Sequence, residues 1–206
     1  MKKKIFITVL LCLFSISPIS LRANELERNT VESDHEIVIE NVDELSDAEI
    51  DRIMKKETEK YLERVVPGYA DEKKVRARPT YETVYGTAKT VTIGGYAGNQ
   101  PAGGRRFNTG GGFWFSDSGG PTASLNVSFP APYDLISVSV TLGSVGSSGV
   151  FVLAPDTTHY FKLYVSKKVR VQPYVVYYTN SQGKKTVWLR SKTTTVTKVD
   201  QYAKQV

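Results

Sequence analysis

From Tyr81 to Val199 the chain alternates between apolar and polar side chains with a period of two. Ile136, Val138, Val140 and Leu142 interleave with Ser137, Ser139 and Thr141, and Leu125, Val127 and Phe129 interleave with Ser124, Asn126 and Ser128. A two-residue period places the apolar set on one face of a strand and the hydroxyls on the other. The same Val-, Thr-, Tyr- and Phe-rich texture recurs in YETVYGTAKTVTI, FWFS, GVFVL, HYFKLYV, VRVQPYVVYY and TVWLRSKTTTVTKV, with Gly, Pro, Ser and Asn between them. Short alternating strands separated by turn residues predict a mainly β fold over residues 81–206. The expected architecture is an antiparallel β-sandwich, Ig-like or jelly-roll-like.

One segment has a different period. Ile50, Ile53, Met54, Tyr61, Leu62 and Val65 fall on a single helical stripe and predict one short amphipathic helix over about residues 46–66. Ser46 and Glu49 have the spacing of a capping box, in which each side chain satisfies an orphan amide of the first turn. Pro67 and Gly68 stop the helix. Residues 24–45 are acidic, with one apolar patch at Ile37-Val38-Ile39, and are expected to be flexible. After the helix, Lys73, Lys74, Arg76 and Arg78 form a basic linker that a trypsin-like protease would also recognise. The run GGYAGNQPAGGRRFNTGGG, Gly94 to Gly112, is too rich in glycine for a regular strand. It predicts a long loop carrying Arg105, Arg106 and Phe107.

The C-terminal stretch SKKVRVQPYVVYYTNSQGKKTVWLRSK reads as a hairpin turning at Asn180–Lys184, with Gly183 in the left-handed position. Pairing Asn180 with Lys184 sets Tyr178 opposite Thr186, Val176 opposite Trp188, Tyr174 opposite Arg190 and Gln172 opposite Lys192. One face then carries Lys168, Arg170, Gln172, Tyr174, Tyr178, Trp188, Arg190 and Lys192, and is expected to face solvent. The other carries Val169, Val171, Val175, Tyr177, Val187 and Leu189 and is expected to face the core. Pro173, which has no amide proton, is expected to break or bulge its strand.

The N-terminus adds a compartment. Lys2, Lys3 and Lys4 precede an apolar run from Ile5 to about Ile16, followed by Ser15, Ser17, Pro18, Ser20 and Ala23. This order predicts a signal peptide over residues 1–23 and a secreted, extracellular product. Cys12, the only cysteine, lies inside that run, so the mature chain would hold neither a disulfide nor a thiolate metal site. The net charge of +6 conceals a division. Asn24 to Glu72 holds sixteen acidic and six basic residues, whereas Lys73 to Val206 holds seventeen basic and five acidic. An acidic segment, expected as a propeptide, is therefore joined to a basic domain.

The candidate chemistry is sparse. Ser116–Pro121, SDSGGP, resembles the segment around the nucleophilic serine of chymotrypsin-like proteases over six residues, with Ser116 where that family has Gly. The resemblance would imply Ser118 as a nucleophile. Such a serine needs an imidazole base and an orienting carboxylate. The chain has two histidines, His35 in the acidic segment and His159 after Ser118, whereas that family's order is His, Asp, Ser. A turn between two strands is the simpler reading of Asp117–Pro121. Glu82, Asp117, Asp134 and Asp156 are scattered, which leaves neither a calcium loop nor an obvious glycosidase pair.

These features lead to an expectation of a secreted, non-enzymatic protein without cofactor or metal. It would bind an anionic polymer, a membrane or a cell-wall surface through Lys168, Arg170, Tyr174, Tyr178, Trp188, Arg190 and Lys192, with Arg105 and Arg106 from the glycine-rich loop. No specific nucleic acid is indicated, and nothing specifies an oligomeric state. The acidic segment 24–72 is expected to dock on the basic domain or keep it inactive until cleavage, and this charge layout suggests a bacteriocin-like or toxin-like product. The alternatives are an adhesive surface protein meeting another protein at a sheet edge, and a hydrolase using Ser118 or a carboxylate pair.

Overall fold

The computed structural model describes residues 34–69 and 80–206. The expected signal peptide, its cleavage near Ala23, residues 24–33 of the acidic stretch and the linker at 70–79 lie outside the described residues. The chain is mainly β, with several antiparallel sheets and one α-helix. In chain order the elements are β1 (Asp34–Glu36), α1 (Asp47–Val65), β2 (Thr80–Tyr85), β3 (Lys89–Tyr96), β4 (Gly112–Ser116), β5 (Thr122–Ser128), β6 (Leu135–Thr141), β7 (Ser144–Gly146), β8 (Val150–Leu153), β9 (Phe161–Thr179) and β10 (Lys185–Gln205).

The helix starts where the capping pattern places it. Glu49 N–H donates to Ser46 Oγ (3.4 Å), and Ser46 N–H donates back to Glu49 Oε2 (3.0 Å). Ile50, Met54 and Leu62 are buried along the expected stripe, and Thr58 completes it. Thr58 is tolerated there because its hydroxyl bonds to Met54 O at 2.7 Å and to Thr193 Oγ1 at 2.5 Å.

The central element is the hairpin of β9 and β10, two strands of 19 and 21 residues. Segments expected as separate strands, HYFKLYV and VRVQPYVVYY, are one strand that runs through Pro173. The reason lies in the neighbouring edge. β2 pairs Tyr85 with Tyr174 and β3 pairs Lys89 with Val171, so residues 86–88 face only two residues of β9. The ladder is already interrupted where proline lacks a donor, and Pro173 O accepts from Gly86 N at 2.8 Å. β1 adds a short parallel strand to the far edge of β10. The resulting order is β1-β10-β9-β2, with β3 also on β9.

The two small sheets cover one face of the long sheet, and the helical segment covers part of the other. Odd-numbered residues of β9 point to one side. There Phe161, Leu163 and Val165 pack with Phe113, Phe115 and Val152 of the three-stranded sheet β7-β4-β8. Val169 and Val171 pack with Val127, Phe129, Val138 and Val140 of the β5–β6 hairpin. On the other side Tyr174 and Val176 lie under Leu62 and Val66 of the helical segment.

Two expectations about irregular segments are corrected. Residues 34–37 are ordered on the sheet, because Ile37 packs with Ile50 and Met54 while its amide bonds to Thr194 O at 2.9 Å. Residues Ser33–Val206 accordingly form one compact unit that includes the helix. The glycine-rich run does not begin as a loop, since β3 continues through Gly94 and Gly95 to Tyr96. A Cβ on Gly94 would stand 2.9 Å from Tyr164 Oη, so the glycine makes room for a ring lying across the adjacent strand.

Candidate functional site

The surface expected on the C-terminal hairpin is divided by β-bulges. Thr186 stands opposite Tyr178, as the turn at Asn180–Lys184 predicts, but the register shifts between Val187 and Leu189. Beyond it Leu189 faces Val176, Ser191 faces Tyr174 and Thr193 faces Gln172. An extra residue in one strand turns every following side chain to the opposite face. Arg190 and Lys192 therefore point towards the β5–β6 side, away from Arg170 and Tyr174. A second shift between Val196 and Lys198 restores the original phase.

The predicted residues consequently separate into groups. Tyr174 is fully buried beneath the helix, which corrects its expected place in solvent. Lys192 is likewise buried, at 8 % exposure. Tyr178 and Trp188 gather around Tyr81, with ring centroids 5.2 and 5.6 Å away. Arg170 is claimed by the acidic helix, and its side chain is only 12 % exposed. Nε and Nη2 donate to the two carboxylate oxygens of Asp51 (2.9 Å each), and Nη1 donates to Asp47 Oδ2 (2.6 Å) and Thr90 Oγ1 (3.0 Å). The Asp51 carboxylate is the main reason its proton affinity rises above the usual arginine value. Arg105 and Arg106 stay exposed at the far end of the sheet. There Arg105 pairs through its backbone with Phe161, and Arg106 Nε donates to Thr157 O at 2.9 Å. Lys168 is exposed, opposite Lys198 and two residues before Arg170 on the same strand.

An aromatic and basic surface does exist on the helix-bearing face, in the part the helix leaves open. Tyr96, Tyr164 and Tyr202 stand opposite one another on β3, β9 and β10, forming one row across three strands. Their centroids are 5.5 and 5.4 Å apart, and with strands about 4.8 Å apart the row is roughly 10 Å long. Tyr96 and Tyr202 are 36 % and 46 % exposed, so ring surface is available to a ligand. Lys162 and Lys204 face each other in the next position along the strands. Lys162 Nζ lies 4.8 Å from the Tyr96 centroid, and Lys204 Nζ lies 4.9 Å from that of Tyr164. On the opposite side of the row, beyond Ser166 and Asp200, Lys168 and Lys198 form a second facing pair, in which Lys198 Nζ is bound to Asp200 Oδ1 at 2.8 Å. Sequence reasoning missed this row because it placed Tyr96 in a loop and stopped the last strand at Val199. The signal was the alternation Lys162-x-Tyr164 and Tyr202-x-Lys204.

The protease-like segment is the connection between β4 and β5. Ser118 Oγ pairs with Ser116 Oγ at 2.8 Å. Gly120 has φ 81°, and a Cβ there would collide with Gly143 O. Asp117 has a structural partner, the Nζ of Lys167 at 2.6 Å, whose side chain is 5 % exposed. The carboxylate thus compensates a cation buried in the sheet. His159 Nδ1 contacts Asp156 Oδ2 at 3.0 Å within an exposed turn, where Asp156 Oδ1 also accepts from the amides of Thr158 and His159. These contacts, the imidazole first, hold the Asp156 carboxyl well below the usual carboxylate range. Among the described residues, no three or more His, Cys, Asp or Glu side chains are grouped to hold a metal ion. Comparison with protein-family models, with curated proteins and with solved structures gave no match.

Proposed function

We propose that this chain is a secreted, non-enzymatic β-sandwich protein that binds an anionic cell-surface or extracellular polymer through the open half of its long sheet. The observation that carries the reading is the cross-strand row Tyr96–Tyr164–Tyr202, flanked by Lys162 and Lys204 on one side and Lys168 and Lys198 on the other. Flat rings stack on sugar rings, and ammonium groups attract carboxylates or phosphates along a chain. Lys168, Lys198 and Lys204 are exposed and Lys162 is half-buried, with Lys198 paired to Asp200 at 2.8 Å. The sandwich reading rests on the small sheets packing over one face of the long one.

The acidic segment has a narrower role here than a removable mask. Its helix buries Leu62 and Met54 completely and so belongs to the core. Asp47 and Asp51 neutralise Arg170, which divides the sheet into a covered acidic half and an open basic half.

The test is binding to alginate, a polyuronate, with neutral dextran as control, measured across a salt series. Wild-type protein should bind alginate and release it as salt rises. Changing Lys162, Lys168, Lys198 and Lys204 together to Gln should weaken binding about tenfold or more at low salt and flatten the salt dependence. Tyr164→Ala should weaken binding while keeping the salt slope. Equal retention on dextran, or an unchanged quadruple variant, refutes the proposal.

A further inference from the structure

The outer face of the three-stranded sheet β7-β4-β8 carries an exposed pair of rings. Strand alternation turns Phe113, Phe115 and Val152 inward and Trp114, Phe151 and Leu153 outward. Trp114 and Phe151 stand directly opposite each other, with centroids 5.0 Å apart and planes at 56°, so the two rings make an open V. They are 44 % and 45 % exposed, and Leu153 stands diagonally beyond them. On its other side Trp114 faces Gly146, and Gly112 faces Leu153. A Cβ on Gly146 would meet nothing closer than Ser148 O at 4.0 Å, so the space beside the indole is open. Two residues along β4, about 7 Å further on, Ser116 and Ser144 form the next facing pair on the same side. Ser144 Oγ donates to Ser118 O at 3.1 Å, which leaves its lone pairs to accept from a ligand hydroxyl.

The charge of this surface sets it apart from the tyrosine row on the helix-bearing face. The strands GFWFS, SVG and VFVL contain no ionisable side chain. From Phe107 to Pro155 the charged residues are Asp117 and Asp134 alone, and Asp117 is already bonded to Lys167. These strands therefore offer an ionic ligand no counter-charge. Exposed rings also suit a lipid surface, but peripheral membrane sites combine them with Lys or Arg for the headgroups. Here hydroxyls stand where those cations would be. Rings beside hydroxyls fit a ligand that is apolar on one face and hydroxylated at its edges, which describes a pyranose ring. Its axial hydrogens meet the indole, and its equatorial hydroxyls reach towards Ser116 and Ser144. A β-linked chain keeps that flat face from one sugar to the next. We propose that Trp114 and Phe151 form a binding site for a neutral β-linked polysaccharide. One sugar stacks on the indole with Phe151 as its side wall, and the chain passes over Gly146. The site shares no residue with the tyrosine row, which lies on the opposite side of the long sheet.

The experiment is a fluorescence titration of the Trp188→Phe protein, in which Trp114 is the one remaining indole. The probes are cellohexaose, N-acetylchitohexaose, the α-linked glucan dextran and phosphatidylcholine vesicles. At least one hexasaccharide should shift the emission and saturate, while dextran and vesicles leave it unchanged. By calorimetry, Trp114→Ala should weaken the preferred hexasaccharide about tenfold or more, and Phe151→Ala should weaken it less. Gly146→Leu keeps both rings and fills the space beside the indole. It should also weaken binding about tenfold, and it decides if Trp114→Ala fails to fold. Changing Lys162 and Lys204 to Gln should leave hexasaccharide binding as it is, and Trp114→Ala should leave alginate binding as it is. The proposal is overturned if neither hexasaccharide binds, if dextran binds equally, or if vesicles shift the emission as strongly as the sugars. Wild-type affinity in Gly146→Leu, or loss of hexasaccharide binding in the lysine variant, overturns it too. A dimer in sedimentation that Trp114→Ala dissociates would assign the rings to a second copy of the chain instead.

Discussion

The contact between Arg170 and the helix sets a measurable coupling. Arg170→Met keeps the aliphatic stem and removes a guanidinium that makes two bonds to Asp51 and one to Asp47. The side chain of Arg170 is 12 % exposed, that of Asp51 25 % and that of Asp47 73 %. An exposed ion pair contributes about 0–1 kcal/mol. Breaking a fully buried one costs about 3–5 kcal/mol, because the surviving charge is stranded. The Arg170–Asp51 pair is mostly buried with one open side, so a loss of about 2 kcal/mol is expected for Arg170→Met. For a unit of this size that lowers Tm by roughly 4–8 °C. Asp51→Asn should cost nearly as much, since it leaves the guanidinium with one exposed carboxylate. Asp47→Asn should cost under about 0.5 kcal/mol. The assay is urea unfolding followed by the midpoint at unchanged m-value, with the double variant Arg170→Met/Asp51→Asn completing a cycle. A coupling of about 1–2 kcal/mol is expected between Arg170 and Asp51. Equal effects of Asp47→Asn and Asp51→Asn, or a coupling near zero, would show that the bidentate pair does not anchor the helix.

Three further outcomes follow from contacts described above. Asp117→Asn removes the counter-charge of buried Lys167 and should destabilise by about 1–3 kcal/mol in urea unfolding, while Ser118→Ala should be near neutral. Met54→Ala, at a fully buried position, should cost about 2–5 kcal/mol, with fluorescence of the strands and circular dichroism of the helix melting together; separate transitions would detach the helix from the fold. His35 stacks on Tyr61 at 4.5 Å, and burial, with Arg64 adding to it, holds its pKa below 6.5 in the folded state. The unfolded chain then binds more protons just below pH 6.5, so stability should be complete above that pH and fall as acid is added through the window beneath it. His35→Phe should remove that component of the pH profile, and an unchanged profile would contradict the assignment.

The helix was legible because its signals are local: a capping box, a stripe of one period and a Pro-Gly stop. The β texture was legible for the same reason, and Val138, Val140, Val127 and Phe129 are buried as their alternation requires. What could not be read depends on which strands become neighbours. Pro173 sits in an unbroken strand because a different strand is interrupted beside it. Trp188 is the extra residue of a bulge, yet nothing in TVWLRSK distinguishes it from a regular strand residue. The tyrosine row needs three segments separated by tens of residues to lie side by side, and only the long hairpin brings them there. Asp117 was readable as part of a turn, but its partner Lys167 lies in the middle of another strand. A regular register from the turn puts Arg190 and Lys192 on the face of Arg170 and Tyr174, and the bulge moves both to the other surface.

The paired register shifts in β10 make it a crankshaft. Its middle third is rotated half a pleat from both ends, so one ribbon delivers Arg190 and Lys192 to one surface and Lys198 and Lys204 to the reverse. Substitutions on either surface can then accumulate without disturbing the other. Loss of a single residue at Trp188 is a different event, because it would roll the middle third over and drive two cations towards the packed helix.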